Sequence, residues 1–129
     1  PAIENDVRYF DGGISDPIPI DFANEKGCEK IIIIWTKPVD DIGSFKIDEF
    51  VGQAMKNRFP NVSKKLIDRK KKVEESLNYA KQLSKDGKVL IISPETIGKM
   101  STLTKDKDAL EKLYKTGYSD AKKIKEFLK

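Results

Sequence analysis

An aspartate followed by two glycines is the segment of this chain best suited to a catalytic role. Asp11, Gly12 and Gly13 directly follow the apolar pair Tyr9-Phe10, which is typical of the end of a β-strand. A strand fixes the position of an ionisable side chain at its end, and glycines let a substrate approach the backbone closely. The spacing therefore predicts Asp11 as a catalytic residue at the edge of an α/β sheet, on a turn supported by Gly12 and Gly13.

The composition restricts the partners that this carboxylate can have. The chain contains no histidine, so neither a Ser-His-Asp triad nor a Cys-His pair can form within its 129 residues. The nucleophile-elbow spacing Gly-x-Ser-x-Gly is absent, because Gly13-Ile14-Ser15 lacks the second glycine, and no glycine-rich loop offers an oxyanion hole. If the chain takes part in acyl transfer, a carboxylate must act as its base. In the alternative interpretation, Asp11-Gly12 forms only a hairpin turn.

Further stretches extend the pattern along the chain. They are Ser15 to Pro19, the run ending in Trp35-Thr36, Arg58 to Pro60, Arg69, Gly87 to Pro94, and Leu113 to Tyr118. Together with the Asp-Gly-Gly turn, these stretches resemble, in the same order, the second half of the catalytic domain of bacterial patatin-like phospholipases and the helical region that follows it.

The resemblance implies a serine lipid acyl hydrolase, a phospholipase or esterase that uses a Ser-Asp dyad and no cofactor or metal. Asp11 would accept the proton of the serine hydroxyl during attack on a lipid or small ester and return it to the leaving alcohol. Phe45, Phe50 and Met55 would line an acyl channel over the site, unless they belong to an ordinary apolar core. The family carries its nucleophile before the Asp-Gly-Gly turn, so the chain is predicted to be a C-terminal fragment that is inactive alone.

The predicted fold class is α/β, the C-terminal portion of a patatin-like three-layer fold related to the α/β-hydrolases, with few buried strands and several long amphipathic helices. Residues 1–43 are assigned to the end of the catalytic domain, and residues 44–129 to a helical region with one further strand, in a single folded unit. Periodicity predicts three strands, one that ends at Phe10 and two that cover 30–36 and 88–93. It also predicts a short helix or turn at 21–26 and three longer helical segments: one after Ser44 as its cap, one at 60–85, and one after Thr104 as its cap, which Gly117 separates from a last helix. The strand at 30–36 is predicted to be covered on both faces.

Charge is distributed unevenly along the chain. Residues 1–59 contain 7 basic and 11 acidic side chains, whereas residues 60–129 contain 18 and 10. The basic helices are predicted either to be ordinary solvated faces or to give a peripheral contact with anionic lipid headgroups. Their lysines lack the interleaved aromatic residues of nucleic-acid interfaces, so no nucleic-acid partner is predicted.

The remaining composition predicts a soluble, cytoplasmic protein. The longest apolar run, Ile31 to Trp35, is far shorter than the roughly 20 residues needed to cross a bilayer. With no histidine and the single Cys28, only a carboxylate site for Mg²⁺ or Ca²⁺ is conceivable, and Asp40-Asp41 is a weak indication of one, so no metal is predicted.

Two other functions remain open from the sequence. The chain could be a non-catalytic interaction module in which Asp11 to Gly13 is only a turn. It could also be a small-molecule or phosphate-binding module that uses the loops after its strands, Thr36 to Gly43 or Ser93 to Lys99. In each case a fragment with an exposed strand edge is expected to self-associate.

Overall fold

The β-strands form two separate two-stranded sheets. The computed structural model describes residues 1–101 and 103–129. In the first sheet, β1 (Ala2–Glu4) pairs with β2 (Val7–Tyr9) in an antiparallel hairpin. In the second sheet, β3 (Ile31–Ile34) pairs with β4 (Val89–Ile92) in parallel. Asn5 and Asp6 join β1 to β2 with positive φ angles of 49° and 61°, which is the backbone of a type I′ hairpin turn.

Helices connect and cover these strands. They are a short 3₁₀ turn (Gly12–Ile14), α1 (Ile20–Glu25), α2 (Lys46–Met55), α3 (Pro60–Lys85), α4 (Lys107–Asp120) and α5 (Lys123–Phe127). Both α2 and α3 lie between β3 and β4 in the chain, and they supply the long connection that a parallel pair requires. The protein is therefore a small mixed α/β domain with a parallel strand pair, and this part of the predicted fold class is confirmed.

The core lies between α3 and one face of the β3–β4 sheet. Its fully buried members come from α3, from β4 and from the segment before α1, and they are Ile18, Ile20, Val73, Leu77, Ala80 and Val89. Ile31, Ile33 and Ile91, which share one face of the sheet because strand residues alternate, pack against this cluster. The apolar period of α3 predicted from the sequence is confirmed, as is its start at Pro60, a residue suited to the first turn of a helix.

Two predicted burial patterns are wrong. The strand at 30–36 was expected to be covered on both faces, but Ile34 is 72% exposed, because the face of β3 opposite α3 is only partly covered. Phe50 of α2 is predicted to line either an acyl channel or an ordinary apolar core, but its side chain is 75% exposed, and Ile47 on the same helix face is 79% exposed. The buried residue of α2 is Gly52, since its missing side chain lets the backbone approach α3.

The predicted ends of the last helices are also wrong. Asp106, not Thr104, caps α4, and its Oδ1 accepts hydrogen bonds from the N–H groups of Asp108 and Ala109, both at 3.1 Å. Gly117 lies inside α4 instead of ending it, because a helical glycine costs only about 1 kcal/mol and does not force a break. Ser44 stands two residues before α2 and makes only a long contact of 3.5 Å with the Lys46 amide. The sequence predicts an irregular connection over 95–103, and Thr102 in this segment lies outside the described residues.

Candidate functional site

Asp11 lies at the end of the hairpin, away from the parallel sheet. The strand before it, β2, pairs with β1, so the prediction that Asp11 stands at the edge of the α/β sheet is wrong. Asp11 instead caps the 3₁₀ turn, and its Oδ1 accepts a hydrogen bond of 2.7 Å from the N–H of Gly13. The hairpin turn of this region is formed by Asn5 and Asp6, so the interpretation of Asp11-Gly12 as a hairpin turn is wrong too.

Aromatic contacts hold the turn against the start of α3. The ring of Phe10, the residue before Asp11, meets the ring of Phe59 edge-to-face with centroids 5.2 Å apart. The guanidinium groups of Arg8 and Arg58 lie 5.6 and 5.4 Å from the centroid of the same Phe59 ring. Such aromatic and cation–π contacts each contribute about 0.5–1.5 kcal/mol and fix relative orientation. Since Phe59 directly precedes α3, the longest helix sets the position of Asp11.

Gly13 is required where the Asp11 carboxylate folds back over the turn. A Cβ at position 13 would lie 3.0 Å from Asp11 Oδ1 and 3.8 Å from an Arg69 amino group, whereas a Cβ at Gly12 would meet nothing within 4 Å. The guanidinium of Arg69 therefore lies close to the turn, next to Gly13. It also forms an ion pair of 3.2 Å with Asp48, which ties α3 to α2 next to the site.

A basic groove lies beside the turn. It has a volume of about 460 Å³ and is lined by Ile14, Ser15, Lys64, Lys65, Asp68, Lys71, Lys72 and Glu75. Lys72 donates a hydrogen bond of 2.9 Å to Asp21, which raises the pKa of Lys72 against the opposing effect of partial burial. Asp16 and Glu75 add smaller Coulombic contributions that raise the same pKa. Four lysines and two acidic residues line the groove, so it carries a small net positive charge that is open to solvent.

The three residues predicted to line an acyl channel lie in different environments. Phe45 packs against the core, Met55 is half-buried, and Phe50 is 75% exposed. The side chains therefore do not share one apolar surface, and the acyl channel stays a prediction.

A cavity of about 730 Å³ lies between the β4–α4 connection and α4, where Ser93 to Lys99 forms part of its wall. Three hydroxyl groups of its wall have backbone partners. Thr96 accepts from the Gly98 amide at 3.0 Å, Thr104 accepts from the Ser101 amide at 3.3 Å, and Thr116 donates to the Lys112 carbonyl at 3.0 Å. Lys123 is paired with Asp120 at 2.7 Å. Glu95, Lys99 and Lys112 also line the cavity and form no ion pair with the described residues, so this cavity also offers charged groups to a ligand.

The acidic residues at 40 and 41 also have partners. Asp40 pairs with Lys81 at 2.7 Å, and Asp41 accepts from the Gly43 amide at 2.8 Å. Among the residues that the structure describes, no three acidic or sulfur side chains are grouped so that they could hold a metal ion. In the same part of the chain, no helix has both the length and the apolar character needed to cross a bilayer.

Comparison with known proteins assigns the chain to a family. The model of a family described as a domain of unknown function, DUF6363, matches residues 59–129, which is more than half of the chain. The chain belongs to this family. The matched region runs from Phe59 through α3, β4, α4 and α5, while the Asp11 turn lies before it. Neither the curated proteins nor the solved structures yielded a match.

The resemblance to patatin-like phospholipases is wrong, since the family comparison finds DUF6363 and no patatin match. The structure gives a physical reason for the error. The quoted stretches coincide with features that many α/β domains need, such as the Pro60 that starts α3 and the buried strand β4. Phe59, Arg69 and Asp48 organise the surroundings of Asp11 through contacts between distant segments, and the spacing of residues gives no signal for those contacts.

Proposed function

We propose that this chain provides the carboxylate base of a serine-type carboxylic ester hydrolase, with Asp11 as that base. The observation that carries the proposal is that the two oxygens of the Asp11 carboxylate differ in their hydrogen bonding. Its Oδ1 is held by the Gly13 amide at 2.7 Å, while Oδ2 accepts no hydrogen bond from the described residues, and the side chain is open to solvent. One fixed and one free oxygen are what a general base needs to meet a hydroxyl proton in a defined direction.

The chemistry follows from that arrangement. A serine hydroxyl at hydrogen-bond distance from Oδ2 would transfer its proton to Asp11 as its oxygen bonds to the ester carbonyl carbon. The protonated carboxyl would then return the proton to the leaving alkoxide, and the same cycle with water would release the acyl group. The nucleophile would come from a segment other than these residues, because they contain no elbow motif.

The basic groove indicates the substrate class within this proposal. Lys64 and Lys65, which form no ion pair with the described residues, place positive charge beside the turn that carries Asp11, whereas Lys71 pairs with Glu75 at 3.8 Å. An ester with an anionic group, whether a lipid with a phosphate headgroup or a small acidic ester, would be drawn to this face. We also propose that the protein is cytoplasmic and makes a peripheral membrane contact through the basic face of α3.

Ester hydrolysis by the intact polypeptide that contains these residues tests the proposal. Asp11→Asn should lower kcat for a short p-nitrophenyl ester by about 10² to 10⁴-fold, the usual contribution of a general base. Asp6→Asn is the matched control, because it removes the same charge from a neighbouring exposed turn whose positive φ suits asparagine. Unchanged hydrolysis by folded Asp11→Asn would refute the assignment.

Gly13→Ala gives a second test that leaves the carboxylate in the chain. Its methyl group would lie 3.0 Å from Asp11 Oδ1, so the carboxylate must move away from the Gly13 amide. We expect kcat to fall for Gly13→Ala but not for Gly12→Ala, since the added methyl at position 12 meets nothing within 4 Å. Equal activity of the two variants would mean that the fixed orientation of Asp11 has no role.

A second candidate function is a non-catalytic interaction module. The exposed apolar side chains of α2 favour it, since Ile47 and Phe50 are 79% and 75% exposed on one helix face. Under this alternative the Asp11 turn is purely structural, so Asp11→Asn would leave hydrolysis unchanged while Ile47→Ser with Phe50→Ser would weaken binding to a partner. The hydrolysis experiment therefore separates the two functions.

A further inference from the structure

The two parallel strands end side by side, at an edge of their sheet where two cavities open. Ser93 directly follows β4 and lines the cavity of about 730 Å³, and Thr36 follows β3 and lines another of about 450 Å³. Ile97, Met100 and Leu113 line both cavities, so the two spaces adjoin. In open α/β sheets, ligands bind in the crevice outside the carboxyl ends of the strands. The 730 Å³ space between the β4–α4 connection and α4, which we call the strand-end cavity, lies at such a position.

Apolar side chains on both walls of the strand-end cavity are only partly covered. Ile97 and Met100 belong to the connection, Ala109 and Leu113 belong to α4, and all four are half-buried. Because α4 contains no buried residue, its apolar side borders open space instead of a filled core. Small-molecule sites of about 300–1,000 Å³ combine such apolar surface with a few polar groups. The cavity therefore favours a ligand with an apolar side chain, whose contact with this surface removes both from water.

Charged groups of both signs line the same cavity without partners of their own. Glu95, Lys99 and Lys112 form no ion pair with the described residues. The other acidic residues of the wall have partners, since Asp106 caps α4 and Asp120 accepts from a lysine of α5 at 2.7 Å. A ligand that carries one positive and one negative group can therefore pair with both kinds of free charge, at Glu95 and at a lysine.

The backbone amides of the wall are already used, which disfavours a phosphate. Proteins usually hold phosphate with free amides of glycine-rich loops and of helix N-termini. Here the Gly98 amide donates to Thr96 Oγ1 at 3.0 Å. At the start of α4, the Asp108 and Ala109 amides both donate to Asp106 at 3.1 Å. None of the described residues that line the cavity is aromatic, so a nucleobase finds no ring to stack on.

We propose that the strand-end cavity binds a small zwitterion with an apolar side chain, namely an α-amino acid with an aliphatic side chain such as leucine. Glu95 binds the ammonium group of the ligand, and Lys99 and Lys112 bind its carboxylate. The apolar residues of the two walls cover its side chain, so the ligand joins the β4–α4 connection to α4. The cavity contains no residue of the Asp11 turn, and this binding does not depend on the proposed ester hydrolysis.

Three probes with the same carbon skeleton test the two charges of the ligand. L-Leucine carries both charges, 4-methylpentanoate lacks the ammonium group, and 3-methylbutylamine lacks the carboxylate. Binding to the unmodified chain is measured at constant pH from the NMR shifts of backbone amides in residues 93–100 and in α4. Leucine should bind about fivefold more tightly than either truncated probe, which is the effect of one exposed ion pair. No shift of these amides with leucine, or equal affinity for all three probes, would overturn the proposal.

Removal of single charges assigns each end of the ligand. Glu95→Gln should weaken leucine binding about fivefold without weakening 4-methylpentanoate binding, because that probe has no ammonium group. Lys99→Gln and Lys112→Gln should each weaken the binding of both probes. The matched controls are Glu126→Gln and Lys125→Gln, since these exposed residues of α5 form no ion pair with the described residues and do not line the cavity. Cavity variants that bind leucine as their controls do would contradict the assigned contacts.

A larger side chain in the apolar wall tests the location without changing any charge. Ala109→Leu extends an aliphatic side chain into the cavity, and leucine is a good helix former, so α4 should form as before. Leucine binding should be lost in Ala109→Leu and retained in Ala121→Leu, whose exposed position lies outside the cavity. Circular dichroism shows whether both variants keep their helices. Full binding by folded Ala109→Leu would mean that leucine binds elsewhere, and would overturn the proposal.

Discussion

Lys72 connects α1 to α3 through Asp21, and its ionisation makes this contact dependent on pH. The hydrogen bond from Lys72 to Asp21 is the largest cause of the raised pKa of Lys72. A lysine whose pKa is higher in the folded than in the unfolded protein stabilises the fold below its unfolded pKa, and this contribution disappears as pH rises through the folded pKa. The contribution is small, because both side chains are more than one third exposed.

This gives a prediction for Asp21→Asn. At pH 7 the substitution should lower the free energy of unfolding by at most about 1 kcal/mol, the range for exposed ion pairs. The difference from the parent protein should vanish once pH exceeds the raised pKa of Lys72. Urea denaturation from pH 7 into the alkaline range measures it, with Glu74→Gln as the control that removes a carboxylate paired only with Lys70. A difference that stays constant with pH would contradict the assigned cause.

At the residue scale, the sequence could indicate Asp11 but not its surroundings. An aspartate before glycines is a local turn signal, and Asp11 does accept the Gly13 amide two residues ahead. Phe59, directly before α3, and Arg69, within α3, reach the same turn from 48 and 58 positions away in the chain. Such contacts depend on how the hairpin packs against α3, and no local pattern encodes them.

At the scale of elements, two helical glycines have opposite environments, so alanine should act oppositely at them. A Cβ at Gly52 would lie 3.0 Å from Ile67 Cγ1 and 3.1 Å from the Ser63 carbonyl oxygen, whereas one at Gly117 meets nothing within 4 Å. Gly52→Ala should therefore lower the free energy of unfolding by about 1–2 kcal/mol, since overpacking exceeds the gain in helix propensity. Gly117→Ala should raise it by about 0.5–1 kcal/mol. The free energies of unfolding of both variants, measured by urea denaturation, test this prediction. A higher value for Gly52→Ala than for the parent protein would show that α2 and α3 can move apart to accommodate the methyl group.

The same glycines explain which elements could be predicted from the sequence. The run of α3 from Pro60 is long and periodic, and its predicted apolar residues Leu66, Val73, Leu77 and Ala80 are buried, together with Ser63 and Ser76, which the apolar pattern did not indicate. The apolar stripe of α2 predicted the helix but not its buried face. The helix packs against α3 through Gly52, and this contact leaves Ile47 and Phe50 exposed to solvent. Asp106 and Thr104 are both acceptable cap residues, so local propensity could not choose between them.

At the scale of the whole molecule, burial is concentrated in α3 and the parallel sheet. Val73, Leu77 and Ala80 of α3 are each at most 2% exposed, whereas α4 and α5 contain no buried residue. Local opening costs least where few apolar contacts are lost. The protein should therefore lose α4 and α5 by local opening well below the free energy that unfolds α3.

Hydrogen exchange measured by mass spectrometry across a urea series tests this order. Amides of α4 should exchange through an opening that is insensitive to low urea, while those in the middle of α3 should follow global unfolding. Leu77→Ala supplies the discriminating variant, because removing a fully buried leucine side chain costs about 2–5 kcal/mol of a total of roughly 5–15 kcal/mol. Leu77→Ala should lower the free energy of exchange of the α3 and β4 amides by the whole loss of stability. The free energy of exchange of the α4 amides should stay nearly unchanged. Equal loss of protection in all helices would mean that α4 and α5 unfold only with the core, and that their exposed faces are stabilised by contacts stronger than their burial indicates.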